Sequence, residues 1–113
     1  MDKLKKYRQI IKDYISRHVE IFNQPKSADV EAVAVFDDKG GNYQWLSVGW
    51  KNGKRVFNTI VYVRLHNEKI YIEEDFSEYG IGNELVEKGV PKSDIVLAFQ
   101  EPSMRQYTEF AMI

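Results

Sequence analysis

Between residues 22 and 29 the apolar residues of this chain change period, and that change dictates a helix followed by a sheet. Leu4, Tyr7, Ile10, Ile11, Tyr14, Ile15, Val19 and Phe22 recur at spacings of three and four. Such spacing puts them on one stripe of an amphipathic helix over residues 3–22, with Lys and Arg outside. Asn23-Gln24-Pro25 predicts its end, because proline lacks an amide donor and disfavours helix in the residue before it. From Asp29 the period is two. Val30, Ala32, Ala34 and Phe36 fall on one side of a strand over 29–36, and Glu31, Val33 and Val35 on the other.

Turn chemistry then divides the rest. Asp37-Asp38-Lys39-Gly40-Gly41-Asn42 tolerates positive φ and offers local side-chain acceptors, so a second strand is expected over 43–50. Asn52-Gly53 between two β-rich runs predicts a tight hairpin into a third strand over 56–65. His66-Asn67-Glu68-Lys69 marks another turn, and Ile70, Tyr71 and Ile72 continue a fourth strand to about Glu74. A shorter helix is expected to open at Ser77 or Glu78, to bury Ile81, Leu85 and Val86, and to stop at Gly89 and Pro91. A fifth strand over 95–99 follows, and then a helical turn over 102–108 packed by Met104 and Tyr107. The predicted architecture is α+β: an antiparallel four- to five-stranded sheet in meander order, the long N-terminal helix packed on one face, and the shorter helix before the last strand. If the fifth strand returns through that helix, it lies parallel to the fourth.

At 113 residues and 13.3 kDa the chain is the size of one domain, so residues 1–113 are read as a single unit. Cysteine is absent, which removes disulfides, thiolate metal sites and cysteine nucleophiles and agrees with a reducing cytoplasm. The charged start Met1-Asp2-Lys3 is unlike a signal peptide, and no run of about 18 apolar residues suggests a membrane span. Net charge is −1, whereas domains that hold DNA by phosphate neutralisation carry a basic excess. Residues 1–18 nevertheless carry +4 and residues 66–113 carry −6. This split either steers a charged partner or serves solubility.

Catalytic and metal-binding patterns do not emerge. In Glu73-Glu74-Asp75, strand alternation puts Glu73 and Asp75 on one face and Glu74 on the other, which reads more readily as a solvated edge than as a metal site. His18 and His66 have no ligand spacing and are expected at the surface. Gly40-Gly41 lacks the lysine and helix of a phosphate loop, and Ser47 and Ser77 lack a nucleophile elbow. No cofactor is implied. Sheet aromatics such as Trp45, Trp50, Phe57 and Tyr62, together with Lys51, Lys54, Arg55 and Arg64, offer a platform for single-stranded nucleic acid, against the plainer expectation of core and cross-strand pairs.

The C-terminal half carries an ordered set of residues: Lys69-Ile70-Tyr71-Ile72, Asp75, Glu78, Gly80-Ile81, Asn83-Glu84-Leu85, Gly89-Val90-Pro91-Lys92, Asp94-Ile95-Val96-Leu97-Ala98-Phe99, Pro102, Arg105 and Tyr107-Thr108-Glu109-Phe110-Ala111. With Met1-Asp2-Lys3-Leu4, Tyr7-Arg8, Val48-Gly49-Trp50 and Arg55-Val56, it resembles the XisI family, the fdxN element excision controlling factors of cyanobacteria, over essentially the whole chain. Ser77 stands where the family leads one to expect threonine. The resemblance implies a non-enzymatic accessory factor that acts with a companion, XisH, while a separate recombinase excises a DNA element during heterocyst differentiation. It points to Asp75, Glu78, Arg105, Tyr107 and Glu109 as partner-binding residues, with a capping role for Asp75 or Glu78 as the alternative. Charge reversal at Asp75 and Glu78 is expected to weaken the complex and spare the fold. An antitoxin- or immunity-like restraint of a nuclease-like partner is the competing function. A homo-oligomer built on an exposed strand edge is also compatible with the sequence.

Overall fold

The computed structural model describes residues 2–24 and 29–113. Helix α1 spans Lys3–Phe22, and the Asp2 side chain caps it by accepting from the Leu4 amide at 3.0 Å. It ends at Asn23, whose amide donates to the Val19 carbonyl. The Pro25 stop signal lies outside the described residues. Tyr7, Ile11, Tyr14 and Ile15 of the predicted stripe are buried, and α1 rests on the sheet beneath them.

That sheet comprises β1 (Val30–Asp37), β2 (Asn42–Lys51), β3 (Lys54–His66), β4 (Lys69–Asp75) and β5 (Ile95–Leu97), in the spatial order β1-β2-β3-β4-β5. The first four pair antiparallel as a meander, and β5 lies parallel to β4 after a crossover through α2 (Ile81–Glu87). Asn52 and Gly53 take φ of 52° and 75°, the left-handed pair that a two-residue hairpin requires. Two bulges interrupt the ladder: Ile60 is an extra residue on β3 and Glu73 an extra residue on β4. Each increases the local twist and re-aims the side chains beyond it.

Helix α2 begins later than the Ser77 or Glu78 start expected from sequence. Residues 76–80 form a loop, and Gly80 enters α2 with φ of 92°, a torsion no helical residue adopts. Both helices cover one face of the sheet, enclosing Tyr43, Val61, Val63, Ile70, Ile72, Leu85 and Ile95. Arg17 ties α1 to α2 through the almost fully buried Glu84 at 2.7 Å. Among the described residues nothing covers the opposite face. It carries Val33, Val35, Leu46, Val48, Trp50 and Phe57 in the alternation that the register imposes.

The segment Pro102–Tyr107 is a 3₁₀ turn, but Met104 and Tyr107 do not pack it. Residues three apart eclipse in a 3₁₀ turn, so both side chains share its outward face, and Tyr107 is 76% exposed. Arg105 holds the turn instead, donating to the carbonyls of Ala98, Gln100 and Met112.

A buried ionisable group on α1 couples this fold to pH. Tyr7 is buried and donates to the Asp94 carboxylate at 2.5 Å; burial first, and then Asp94, push its phenol up to about 12 from 10.0. A raised folded-state pKa makes the stabilisation complete below pH 10 and removes it as pH climbs toward 12. Urea melts at pH 9 and pH 11 are expected to show an alkaline loss that Tyr7→Phe reduces; an equal loss in both proteins would remove Tyr7 as its source.

Candidate functional site

The loop between β4 and α2 is organised by one carboxylate. Asp75 accepts from the Ser77 amide at 3.0 Å and the Ser77 hydroxyl at 2.5 Å through one oxygen, and from the Ile81 amide at 2.8 Å through the other. It thereby supplies the first orphan amide of α2 with an acceptor that Gly80 cannot provide. The Ser77 hydroxyl also meets the Tyr14 hydroxyl at 2.8 Å, so the loop is fastened to the middle of α1. Burial pushes the Tyr14 phenol up, and the Ser77 bond partly offsets it. Ser77 serves here as a bridge and not as the helix cap.

On the far side of Ser77 lies a recess of about 450 Å³, with Ile21, Phe22, Trp45, Glu78 and Tyr79 around it and His18 in its wall. His18 is half-buried, contrary to the surface position expected for it. Its ring lies 4.1 Å from that of Tyr14 and 5.6 Å from that of Trp45, and its Nδ1 bonds the Tyr14 carbonyl. Ile21 is 68% exposed, and Phe22 and Tyr79 are exposed beside it. Apolar side chains clustered at a rim with the exposed carboxylate of Glu78 make an amphipathic patch of the kind that binds protein. Phe22, counted within the helical stripe, is exposed at the helix end, and Ile21 lies off that stripe.

A second, smaller cleft of about 170 Å³ runs between the start of α2 and the C-terminal segment, touching Asp75, Asn83, Phe99 and Phe110. Asp75 and Phe110, both within the family-like C-terminal half, meet here. Of the five residues assigned to partner binding, Asp75 and Arg105 are occupied in holding the backbone, whereas Glu78 and Tyr107 are exposed. Glu109 is exposed and pairs with Lys92 at 2.8 Å, which lowers its carboxyl below the usual range. Charge reversal at Asp75 is therefore expected to disturb the loop as well as any complex.

The four basic residues do not form one patch. Lys51, Lys54 and Arg55 surround the β2–β3 hairpin tip, where the Arg55 guanidinium lies over Trp50 and Phe57. Arg64 sits nine residues along β3 from Arg55, bonded to Glu73 at 3.1 Å and lying over Tyr71. The bulge at Glu73 also overturns the expected carboxylate arrangement. Glu74 pairs with Tyr62 and Asp75 with the buried Val61, while Glu73 turns to Arg64, so Glu73 and Asp75 do not share a face. Among the described residues no group of three or more His, Cys, Asp and Glu side chains is arranged to hold a metal ion, and no helix is long and apolar enough to cross a membrane.

Comparison with known proteins agrees with this architecture. The family model described as XisI protein matches residues 1–112. The crystal structure of the fdxN element excision controlling factor XisI from Anabaena variabilis is 38% identical, with a TM-score of 0.87 over 99% of this chain and 100% of that one. A XisI-like protein from the same organism is 30% identical, with a TM-score of 0.87 over 96% of this chain and 97% of that one. No curated protein matches the chain. A match of this extent means that the chain belongs to the XisI family.

Proposed function

We propose that the chain is a non-catalytic controlling factor that works in the cytoplasm by binding an XisH-like protein, and through it regulates excision of a DNA element by a separate recombinase. Membership of a family whose solved member is described as an excision controlling factor carries this reading. The recess beside Glu78 supports the protein-binding part of it, because exposed Ile21, Phe22 and Tyr79 surround a charged rim. Apolar anchors supply affinity and rim charges supply orientation and rate. Glu73 and Glu74 lie on the same uncovered face as Arg64 and weaken the case for a nucleic-acid backbone on that face.

Co-expression with the XisH-like protein of the same genome, followed by size exclusion with mass determination, tests the reading. A stable complex is the expected result, and two separate masses would reject it. Within the complex, Ile21→Asp is expected to raise the dissociation constant by about tenfold or more and Glu78→Lys by a smaller factor. Both variants alter exposed positions and should melt within a few degrees of the parent.

A further inference from the structure

Among the described residues the sheet has three strand edges within reach of another chain, and two of them carry an internal contact. At the β1 edge, the Asn23 side-chain carboxamide takes the place of a neighbouring strand, its Nδ2 donating to the Ala32 carbonyl and its Oδ1 accepting from the Ala32 amide, each at 2.9 Å. At the β5 edge, Ala111 forms a parallel bridge with Val96 and donates to the Ile95 carbonyl at 2.8 Å. These are the devices by which folded chains prevent edge-to-edge association.

The third edge is open. Strand β3 begins at Lys54, but its pairing with β4 starts only at Val61, where the Phe76 amide donates to the Ile60 carbonyl. Residues 54–59 therefore pair with β2 on one side, and no described strand lies on the other. Two large apolar side chains flank this edge, Phe57 at 65% exposure and Phe76 at 70%. With Asn58, Thr59, Ile60 and Glu74 they line an open recess of about 510 Å³. The recess is distinct from the one beside Glu78.

We infer that this edge pairs with the same edge of a second copy, antiparallel about a two-fold axis near Val56 and Phe57, to give a homodimer with a continuous sheet. Charge selects this occupant. The hairpin end of the edge carries Lys51, Lys54 and Arg55, and the β4 end carries Glu74 on the same face, Glu73 being paired with Arg64 and Asp75 turned to the loop before α2. Antiparallel pairing brings each basic tip to the acidic end of the other copy, so the edge is complementary to itself. It also covers the Phe57 ring of each copy at the two-fold axis, while the free backbone groups of residues 54–59 gain ladder partners. A disordered acidic peptide would satisfy the basic end alone and would leave Glu74 without a counter-charge.

Sedimentation or light scattering on the isolated chain from about 1 to about 200 µM tests this directly. A concentration-dependent mass approaching twice 13.3 kDa is expected, and a single-chain mass throughout the range would overturn the inference. Phe57→Lys should shift the dimer dissociation constant upward by about tenfold or more; a folded Phe57→Lys protein that dimerises like the parent would also overturn it. If that variant does not fold, the charges decide. Arg55→Glu and Glu74→Arg are each expected to weaken the dimer, and the double variant to recover it, because every copy then carries the exchanged pair. Failure of the double variant to recover would reject this edge as the contact.

Discussion

Asp75→Ala is expected to lower the free energy of unfolding by about 2–4 kcal/mol, since it strands the Ser77 and Ile81 amides in a half-buried loop. Three bonds converge on this one carboxylate, and the loop offers no other side-chain cap for α2. The consequence extends beyond the loop, because Ser77 joins Asp75 to Tyr14, and Tyr14 lies in the middle of the buried stripe of α1. Asp75→Asn should fall between the parent and the alanine variant, since one carbonyl oxygen replaces two acceptors. Urea denaturation checks this, with the slope held constant so that the midpoint reports stability alone. An alanine variant within about 0.5 kcal/mol of the parent would mean that the carboxylate does not cap the helix.

This result governs how the partner surface is mapped. Loss of a complex on mutating Asp75 reports an unfastened loop as readily as a lost contact, and the recess beside Glu78 is built on that loop. Glu78 and Ile21 test the surface, because their side chains are exposed and make no described hydrogen bond that the fold relies on. Arg105 belongs with Asp75: its three carbonyl partners hold the C-terminal segment against β5. Residues recognisable in the family pattern are therefore partly structural, and the exposed apolar residues around them complete the candidate interface.

Much of the fold was legible because local chemistry and tertiary packing agree. The stripe from Tyr7 to Ile15 is buried as its period requires, and Asn52-Gly53 turns where its torsions allow. The errors share a cause. Ser77 and Glu78 look like a helix start by local propensity, but the acceptor that starts α2 is Asp75, six residues before Ile81. Alternation assigned Glu73 and Asp75 to one face, whereas a bulge, which no local residue announces, shifts the register between them. Met104 and Tyr107 were expected to pack the turn over 102–108, and a polar clamp by Arg105 holds it instead. His18 was read as solvent-facing because its stacking partner Trp45 lies 27 residues away. In each case a distant partner overrode a near one, and the recess at Ile21 and Tyr79 was hidden for the same reason.

Gly49 provides the largest steric test of this sheet. It pairs with Val30 at the start of β1, and an alanine Cβ there would lie 2.1 Å from the Asp29 carbonyl oxygen and 2.8 Å from the Val30 Cα. Both obstacles are backbone, so no rotamer change relieves them. Moving Asp29 away would also break its bond with the Trp50 amide, now 3.1 Å. Overpacking together with the backbone shift is expected to cost about 3–5 kcal/mol, a fall in melting temperature on the order of 15 °C for a chain of this size. Gly53→Ala is the control: Gly53 has φ of +75° but nothing within 4 Å of the added atom, so only its left-handed conformation is penalised, at about 1–2 kcal/mol. Thermal melts of the two variants separate contact from conformation. A Gly49→Ala protein no less stable than Gly53→Ala would mean that β1 does not approach β2 this closely. The expected larger loss would place the close approach of β1 beside Trp50, whose ring, with that of Phe57, carries Arg55 over the hairpin tip.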